Sequence, residues 1–142
     1  MLIVKYFKAL LGIYTVGILL LVILPINGKD QVFGHLNNTY IINIRLDYIS
    51  HFLLFIPWVA IVYLTFGKEV AFFNFDTYTL ISLLTFAIFA ESIQYFLPYR
   101  TFNINDLLAN VFGVLLGIIL VKPIARYLTN FKNQENRAVE GK

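Results

Sequence analysis

The stretch LISLLTFAIFAESIQYFLP, residues 80–98, decides what kind of fold this chain adopts. It is almost wholly apolar, and it has about the 20 residues that an α-helix needs to cross the hydrocarbon core of a membrane. Glu91 and Gln94 nevertheless stand inside it. A fold that keeps a carboxylate and an amide in such a segment must give both groups polar neighbours, because burying them unpaired is costly.

The composition of the whole chain also favours a membrane over water. Of the 142 residues, 59% are hydrophobic and only 13% are charged, whereas soluble domains have about 25% charged residues. Four apolar blocks are long enough to span a bilayer. We therefore predict an all-α integral membrane bundle of four transmembrane helices, within a single domain of residues 1–128, with the helices at about residues 9–26, 48–66, 78–98 and 106–124.

Two features of the composition limit the possible chemistry. The chain contains no cysteine, which excludes disulfides, iron–sulfur clusters and thiolate zinc sites, so any chemistry must use oxygen and nitrogen groups. The net charge is +3, but the Lys and Arg residues flank apolar blocks and form no basic face with interleaved aromatic residues. We expect the lipid bilayer as a partner and no nucleic acid.

Basic residues near the helix ends predict the orientation, because cytoplasmic segments are enriched in Lys and Arg. Lys5 and Lys8 precede the first block, and the C-terminal side is richer still. An even number of spans places both termini on one side, which we predict to be cytoplasmic. The polar segment 129–142 shows no hydrophobic periodicity and is expected to be a largely disordered tail.

In this orientation the polar residues of three helices fall at one depth, near the outer surface. They come in pairs spaced three or four residues apart, so that each pair shares one helix face. An ionisable group in a membrane-spanning helix normally faces protein or a polar cavity. We expect one outward-facing polar pocket formed by Asp47, His51, Glu91, Gln94, Arg100, Asp106 and Asn110.

The fourth block also carries a series of small residues. Ala109, Gly113 and Gly117 are four residues apart and follow the stripe of Asp106 and Asn110. Small residues at this spacing let another helix backbone approach closely in a membrane. We expect Gly113 and Gly117 to serve helix packing.

The expected pocket contains groups suited to acid–base chemistry. His51, oriented by Asp47, is a candidate general base or acid, and Glu91 and Asp106 are further candidate catalytic groups. Arg100 is a candidate for binding an anionic headgroup or for pairing with a carboxylate. Imidazole and carboxylate ligands also suit several divalent metals, but no helix carries the spacing of a dedicated metal motif, so the cofactor stays open.

Simpler interpretations of the same residues stay open beside these. Asp47 and Asp106 stand where helices begin, where Asp is a routine cap and dipole partner. Glu91 and Gln94 are also explained by a hydrogen-bond network that packs helices together. Arg100 is also explained as an interfacial anchor.

Three segments together resemble one family: LDYISHF (46–52), AESIQYFLPYR (90–100) and NINDLLANVFGVLLG (103–117). They are similar to the VanZ-like family of small bacterial membrane proteins. The shared pattern is Asp-x-x-x-His, then Glu-x-x-Gln, an Arg after a proline, and Asp-x-x-x-Asn followed by glycines. One position departs from it, because Tyr48 stands where members often have Lys, which would leave the site one cation short.

The resemblance implies a four-helix protein of the bacterial inner membrane and an association with resistance to the glycopeptide teicoplanin. Three classes of function follow. The first is a hydrolase or transferase acting on a lipid-linked envelope precursor or an anionic lipid headgroup, and the second is a protein that only binds an envelope component or a glycopeptide. The third is a non-catalytic accessory or structural subunit of a membrane complex. The residues alone leave open whether the protein is an enzyme.

Overall fold

The computed structural model describes residues 2–24, 36, 39–41, 44–66 and 77–140, with side chains described from residue 5 to residue 123 within these ranges. The helices are α1 (Leu2–Ile23), α2 (Leu46–Phe66), α3 (Thr77–Ser92) and α4 (Ile104–Glu140). A 3-10 turn, Ile93–Phe96, follows α3 directly. Two short antiparallel strands, β1 (Tyr40–Ile41) and β2 (Ile44–Arg45), lead into α2.

Among the described residues, four helical segments are long and apolar enough to cross a membrane. They match the predicted spans apart from a few residues at the ends, so the all-α membrane bundle is confirmed. The last two residues of the predicted first span, 25 and 26, lie outside the described residues. The placement of both termini on the cytoplasmic side stays a prediction. The four segments are Lys5–Ile23, Leu46–Phe66, Thr77–Phe96 and Ile104–Pro123.

The third helix ends earlier than predicted. Instead of continuing to residue 98 as an α-helix, the chain tightens into the 3-10 turn after Ser92 and becomes extended at Leu97. Leu97 precedes Pro98, and a residue before proline is pushed out of the helical conformation. This early ending turns the chain toward the start of α4.

The fourth helix continues further than predicted. The expectation was a helix end near residue 124 and a disordered tail from 129 to 142, whereas α4 runs to Glu140. Residues 124–140 contain neither glycine nor proline, and Gly141 follows. A polar segment without helix breakers remains compatible with a helix even when it has no apolar stripe. Gly141 and Lys142 lie outside the described residues.

The most extensive contact of the bundle joins α2 and α4, with α1 packed on α2 and α3 packed on α4. The buried core includes Phe55, Val59, Ala87 and Val114, none of which is more than 1% exposed. Phe55 and Trp58 pack edge to face with their ring centroids 5.7 Å apart. This apolar core holds the polar ends of the helices in fixed positions relative to one another.

Three hydrogen bonds join α1 to α2 among the described residues, one of them from the Thr65 hydroxyl to the Phe7 carbonyl oxygen at 3.2 Å. The Tyr14 hydroxyl donates to the Leu54 carbonyl oxygen at 3.0 Å, and the Trp58 indole N–H donates to the Thr15 hydroxyl oxygen at 3.0 Å. Hydrogen bonds between helices satisfy polar groups that have no water available in a bilayer. The bonds of Tyr14 and Trp58 hold α1 against α2 along the middle of both helices.

The outer surface of the bundle is apolar on every helix. Ile13 of α1 is 72% exposed, Leu53 of α2 54%, Tyr78 of α3 80% and Ile119 of α4 63%. An apolar surface of this extent is a liability in water but is the expected boundary with lipid. The helices therefore contact the bilayer, and the chain is a multi-pass membrane protein.

Candidate functional site

Three of the predicted residues meet at one end of the bundle. His51 comes from the second turn of α2, Glu91 from the last turn of α3 and Asp106 from the first turn of α4. One potential ligand atom of each side chain lies within 4.8 Å of the other two. Glu91 is fully buried and Asp106 is 8% exposed. The structure thus brings together the three candidate catalytic side chains, which lie far apart in the sequence.

Asn103, which the sequence analysis missed, connects the ends of α3 and α4. Its side-chain oxygen accepts the backbone N–H of Asn105 at 3.0 Å, the hydrogen bond of a helix N-cap. Its own backbone N–H donates to Oε1 of Glu91 at 3.3 Å. The sequence signal was present, because Asn is a preferred N-cap residue immediately before an apolar block.

His51 is oriented by Asn110 and not, as predicted, by Asp47. The Nδ1 atom of His51 lies 3.1 Å from Oδ1 of Asn110, which is fully buried on α4. An amide oxygen accepts a hydrogen bond, so this contact places the proton of the neutral imidazole on Nδ1. The other ring nitrogen, Nε2, is then left with a lone pair for a proton or a metal ion.

Several polar atoms of this cluster have no partner. Within the part of the chain that the structure describes, no hydrogen bond reaches Oε2 of Glu91, Oδ1 of Asp106 or Nδ2 of Asn110, although all three atoms are buried. Buried polar atoms without partners are rare in folded proteins, and each calls for an explanation. Three such atoms in one cluster indicate that these side chains are arranged around a polar partner from outside the cluster.

Asp47 is held by Arg45, a second residue that the sequence analysis did not place in the site. The guanidinium donates from Nε to Oδ1 at 3.1 Å and from Nη2 to Oδ2 at 2.5 Å, and Nη1 donates to the Tyr48 hydroxyl at 3.1 Å. Burial lowers the pKa of Arg45, but Asp47, Tyr48 and Asp106 together raise it more, so its pKa lies above the ordinary value. The site therefore does not lack a cation, because Arg45 supplies the charge that Tyr48 does not.

Arg100 contacts backbone rather than the carboxylate that was one of its predicted partners. Its Nη2 atom donates to the carbonyl oxygens of Leu21 and Leu24, each at 2.6 Å, at the C-terminal end of α1. Among the described residues no ion pair joins it to a carboxylate. Burial lowers the pKa of Arg100 below its ordinary value, yet a guanidinium stays charged at neutral pH. A cation at this position complements the negative end of the α1 dipole.

Gln94 lies in the 3-10 turn and is buried, with 5% exposure. No hydrogen bond joins its side chain to another of the described residues, so the structure does not connect it to His51, Glu91 or Asp106.

The glycines of α4 lie where α2 crosses it. A Cβ atom at Gly113 would collide with the backbone carbonyl oxygen of Phe52, and one at Gly117 would lie 2.9 Å from Cβ of Val59. Only a hydrogen fits at either position without a shift of α2. This close approach brings His51 of α2 within reach of Asn110 of α4.

Glu91 and Asp106 are buried and His51 is half-buried, and the cluster does not share the cavity found elsewhere in the bundle. A cavity of about 490 Å³ lies between α1, α2 and α3, toward the opposite end of α2, and is lined by Thr15, Trp58, Phe66 and Ser82 among others. None of the predicted site residues lines it. The outward-facing polar pocket stays a prediction.

The comparison with protein families supports the resemblance carried by these residues. The model of the VanZ/LLP1 family matches residues 11–126, which include every residue of the cluster. No curated protein and no solved structure matches the chain. Since the family model covers most of the sequence, the chain belongs to the VanZ/LLP1 family.

Proposed function

We propose that this protein binds or acts on a lipid-linked component of the cell envelope at the outer leaflet of the bacterial inner membrane. By doing so it contributes to protection of the envelope, such as resistance to the glycopeptide teicoplanin. The observation that carries the proposal is the convergence of His51, Glu91 and Asp106, with unpartnered carboxylate oxygens, at one end of a membrane bundle. Ionisable groups in membrane-spanning helices are retained mainly for function.

The charges around the cluster suit an anionic headgroup. Arg45 and Arg100 both lie close enough to Asp106 to interact with it electrostatically. Guanidinium groups recognise phosphate well because they present several donors in a planar array. Two guanidiniums beside a histidine and two carboxylates provide both recognition of an anion and groups for proton transfer.

The surface at this end of the bundle also suits lipid. Tyr95 is 75% exposed, Phe96 79% and Tyr99 52%, and all three lie next to the cluster in the sequence. Exposed aromatic residues concentrate at the level of the lipid headgroups. A lipid headgroup at the level of these rings would lie near the depth of Glu91 and Asp106.

Resistance of a susceptible bacterium to teicoplanin tests the proposal. Cells expressing the wild-type chain should need a higher teicoplanin concentration for growth inhibition than cells with an empty vector. H51A, E91A and D106A should each return this concentration to the vector level, because each removes one member of the cluster. S82A, on α3 beside the distant cavity, is the matched control and should behave like wild type. Membrane abundance of all variants is compared by immunoblot.

If the alanine variants protect as well as wild type at equal abundance, the site has no such role and an accessory or structural function takes its place. If the alanine variants lose protection, E91Q distinguishes a protein that acts on its ligand from one that only binds it. Glutamine keeps the shape and hydrogen-bonding atoms but not the carboxylate. Loss of protection in E91Q favours acid–base chemistry or cation binding, and retained protection favours recognition by hydrogen bonding alone.

A further inference from the structure

We propose that His51, Glu91 and Asp106 bind one divalent transition-metal ion, with Zn²⁺ as the ion that the ligand set fits best. The inference deepens the proposed function, since it concerns the same residues and rests on their role there. Binding of the ion itself needs no lipid, so metal binding and the proposed function are tested separately.

The distances allow a common metal ion. Imidazole nitrogen and carboxylate oxygen bind Zn²⁺ in a tetrahedral site at about 2.0–2.2 Å, so two ligands of one ion lie about 3.5 Å apart. The ligand atoms of His51, Glu91 and Asp106 lie within 4.8 Å of one another. The three atoms are therefore near enough that an approach of about 1 Å would place them around one ion.

The unpartnered atoms are those that a metal would use. Glu91 has one oxygen, Oε1, bonded to the backbone N–H of Asn103, while Oε2 is buried and free of hydrogen bonds from the described residues. Oδ1 of Asp106 is also buried and also accepts no hydrogen bond from the described residues. Leaving such an oxygen without a partner costs about 1–3 kcal/mol, and more when it is charged. A cation between the two carboxylates removes both penalties.

The surrounding contacts resemble those that orient metal ligands in proteins. A metal-binding histidine almost always donates its second ring N–H to a carboxylate or carbonyl group, which fixes its tautomer and orientation. Here Nδ1 of His51 lies 3.1 Å from Oδ1 of Asn110, which leaves Nε2 for the ion. The bond from Asn103 holds the Glu91 carboxylate in the same way.

Among the described residues, the nearby cations make their direct contacts with groups other than Glu91 and Asp106. Asp47 is paired with Arg45, and Arg100 donates to carbonyl oxygens of α1. Glu91 and Asp106 therefore face each other without an ion pair among the described residues, and two carboxylates at this distance repel when both are ionised. A divalent ion neutralises both. Imidazole as a ligand favours zinc, copper, iron or nickel over magnesium, calcium or manganese, which prefer oxygen.

Zinc binding to the purified full chain in lipid nanodiscs is the test. After treatment with a chelator, the wild-type protein should bind one Zn²⁺ per chain by elemental analysis, and its thermal midpoint should rise with Zn²⁺ concentration. H51Q, E91Q and D106N should each bind at least about tenfold more weakly, because each loses a ligand. H35Q removes the only other histidine of the sequence and should bind like wild type.

A second measurement covers the case in which a variant folds poorly. X-ray absorption at the zinc edge of the wild-type protein should show nitrogen and oxygen ligands that include one histidine. E91Q and D106N should melt at or above the wild-type midpoint without zinc, since each removes one of two repelling charges. Failure of wild type to bind Zn²⁺, or equal binding by wild type and the three ligand variants, overturns the proposal. Lost teicoplanin protection in the alanine variants without zinc binding would leave the proposed function standing alone.

Discussion

The pair formed by Arg45 and Asp47 shows how single residues control charge at this end of the bundle. Arg45 is the last residue of β2 and Asp47 lies in the first turn of α2, so the strand and the helix present them side by side. Asp47 is 5% exposed, and Arg45 also lies 4.7 Å from the centre of the Tyr48 ring. A carboxylate this buried depends on its cation, because an unpaired buried charge is strongly unfavourable.

Removing the cation should therefore destabilise the protein through Asp47. R45A should lower the free energy of unfolding by about 1–3 kcal/mol, less than the about 3–5 kcal/mol for breaking a fully buried pair, because the Arg45 side chain is partly exposed to solvent. R45K should lie between R45A and wild type, since lysine keeps the charge but not the two-bond geometry. Thermal unfolding in detergent micelles measures the differences.

The double variant R45A/D47N isolates the pair from other effects of Arg45. Because the asparagine carries no charge, the double variant should be more stable than R45A alone, which is a favourable coupling between the two positions. K5A, which removes an exposed lysine from α1, is the control for loss of one positive charge. A double variant no more stable than R45A would show that Asp47 does not depend on Arg45.

At the scale of whole helices, the packing of α2 on α4 positions the cluster. Gly113 and Gly117 remove the side chains that would separate the two helices. The polar stripe and the glycines lie on the same face of α4, so the helix that approaches the glycines also supplies His51. A small increase in the separation of these helices would move His51 away from Asn110.

Alanine at Gly113 should be more harmful than alanine at an unconstrained glycine. Its Cβ atom would meet the carbonyl oxygen of Phe52, a backbone atom that cannot rotate away. We expect G113A to destabilise the protein by about 1–3 kcal/mol, the usual range for overpacking. At Gly12 of α1 a Cβ atom would meet nothing within 4 Å, so G12A is the matched control and should be neutral. Thermal unfolding of both variants under identical conditions gives the comparison, and equal midpoints would contradict the close contact.

The elements also show which features a sequence can reveal. The four spans follow from hydrophobic length, and the meeting of His51, Glu91 and Asp106 follows from their depth in antiparallel helices. The partners of individual side chains do not follow, because they depend on how non-helical segments approach the helices. Arg45 was overlooked because it lies in a strand outside the helical spacing, and the contact of Arg100 with α1 depends on tertiary packing.

At the scale of the molecule, the orientation in the membrane decides which compartment the cluster faces. The cluster lies at the end of the bundle that contains the C-terminal end of α1 and the start of α4, whereas Lys5 and Lys8 lie at the other end. Basic residues favour the cytoplasmic side. The cluster should therefore face the outer leaflet, where substrates of the envelope are found.

The absence of cysteine allows this orientation to be measured with single introduced thiols. Thr101, exposed in the segment between the 3-10 turn and α4, lies at the same end as the cluster, and Lys5, exposed near the start of α1, lies at the opposite end. A membrane-impermeant maleimide should label T101C in intact spheroplasts and K5C only after the membrane is permeabilised. The reverse pattern would place the cluster in the cytoplasm. A headgroup on the outer leaflet would then be out of reach, and the ligand of the same residues would have to come from the inner leaflet.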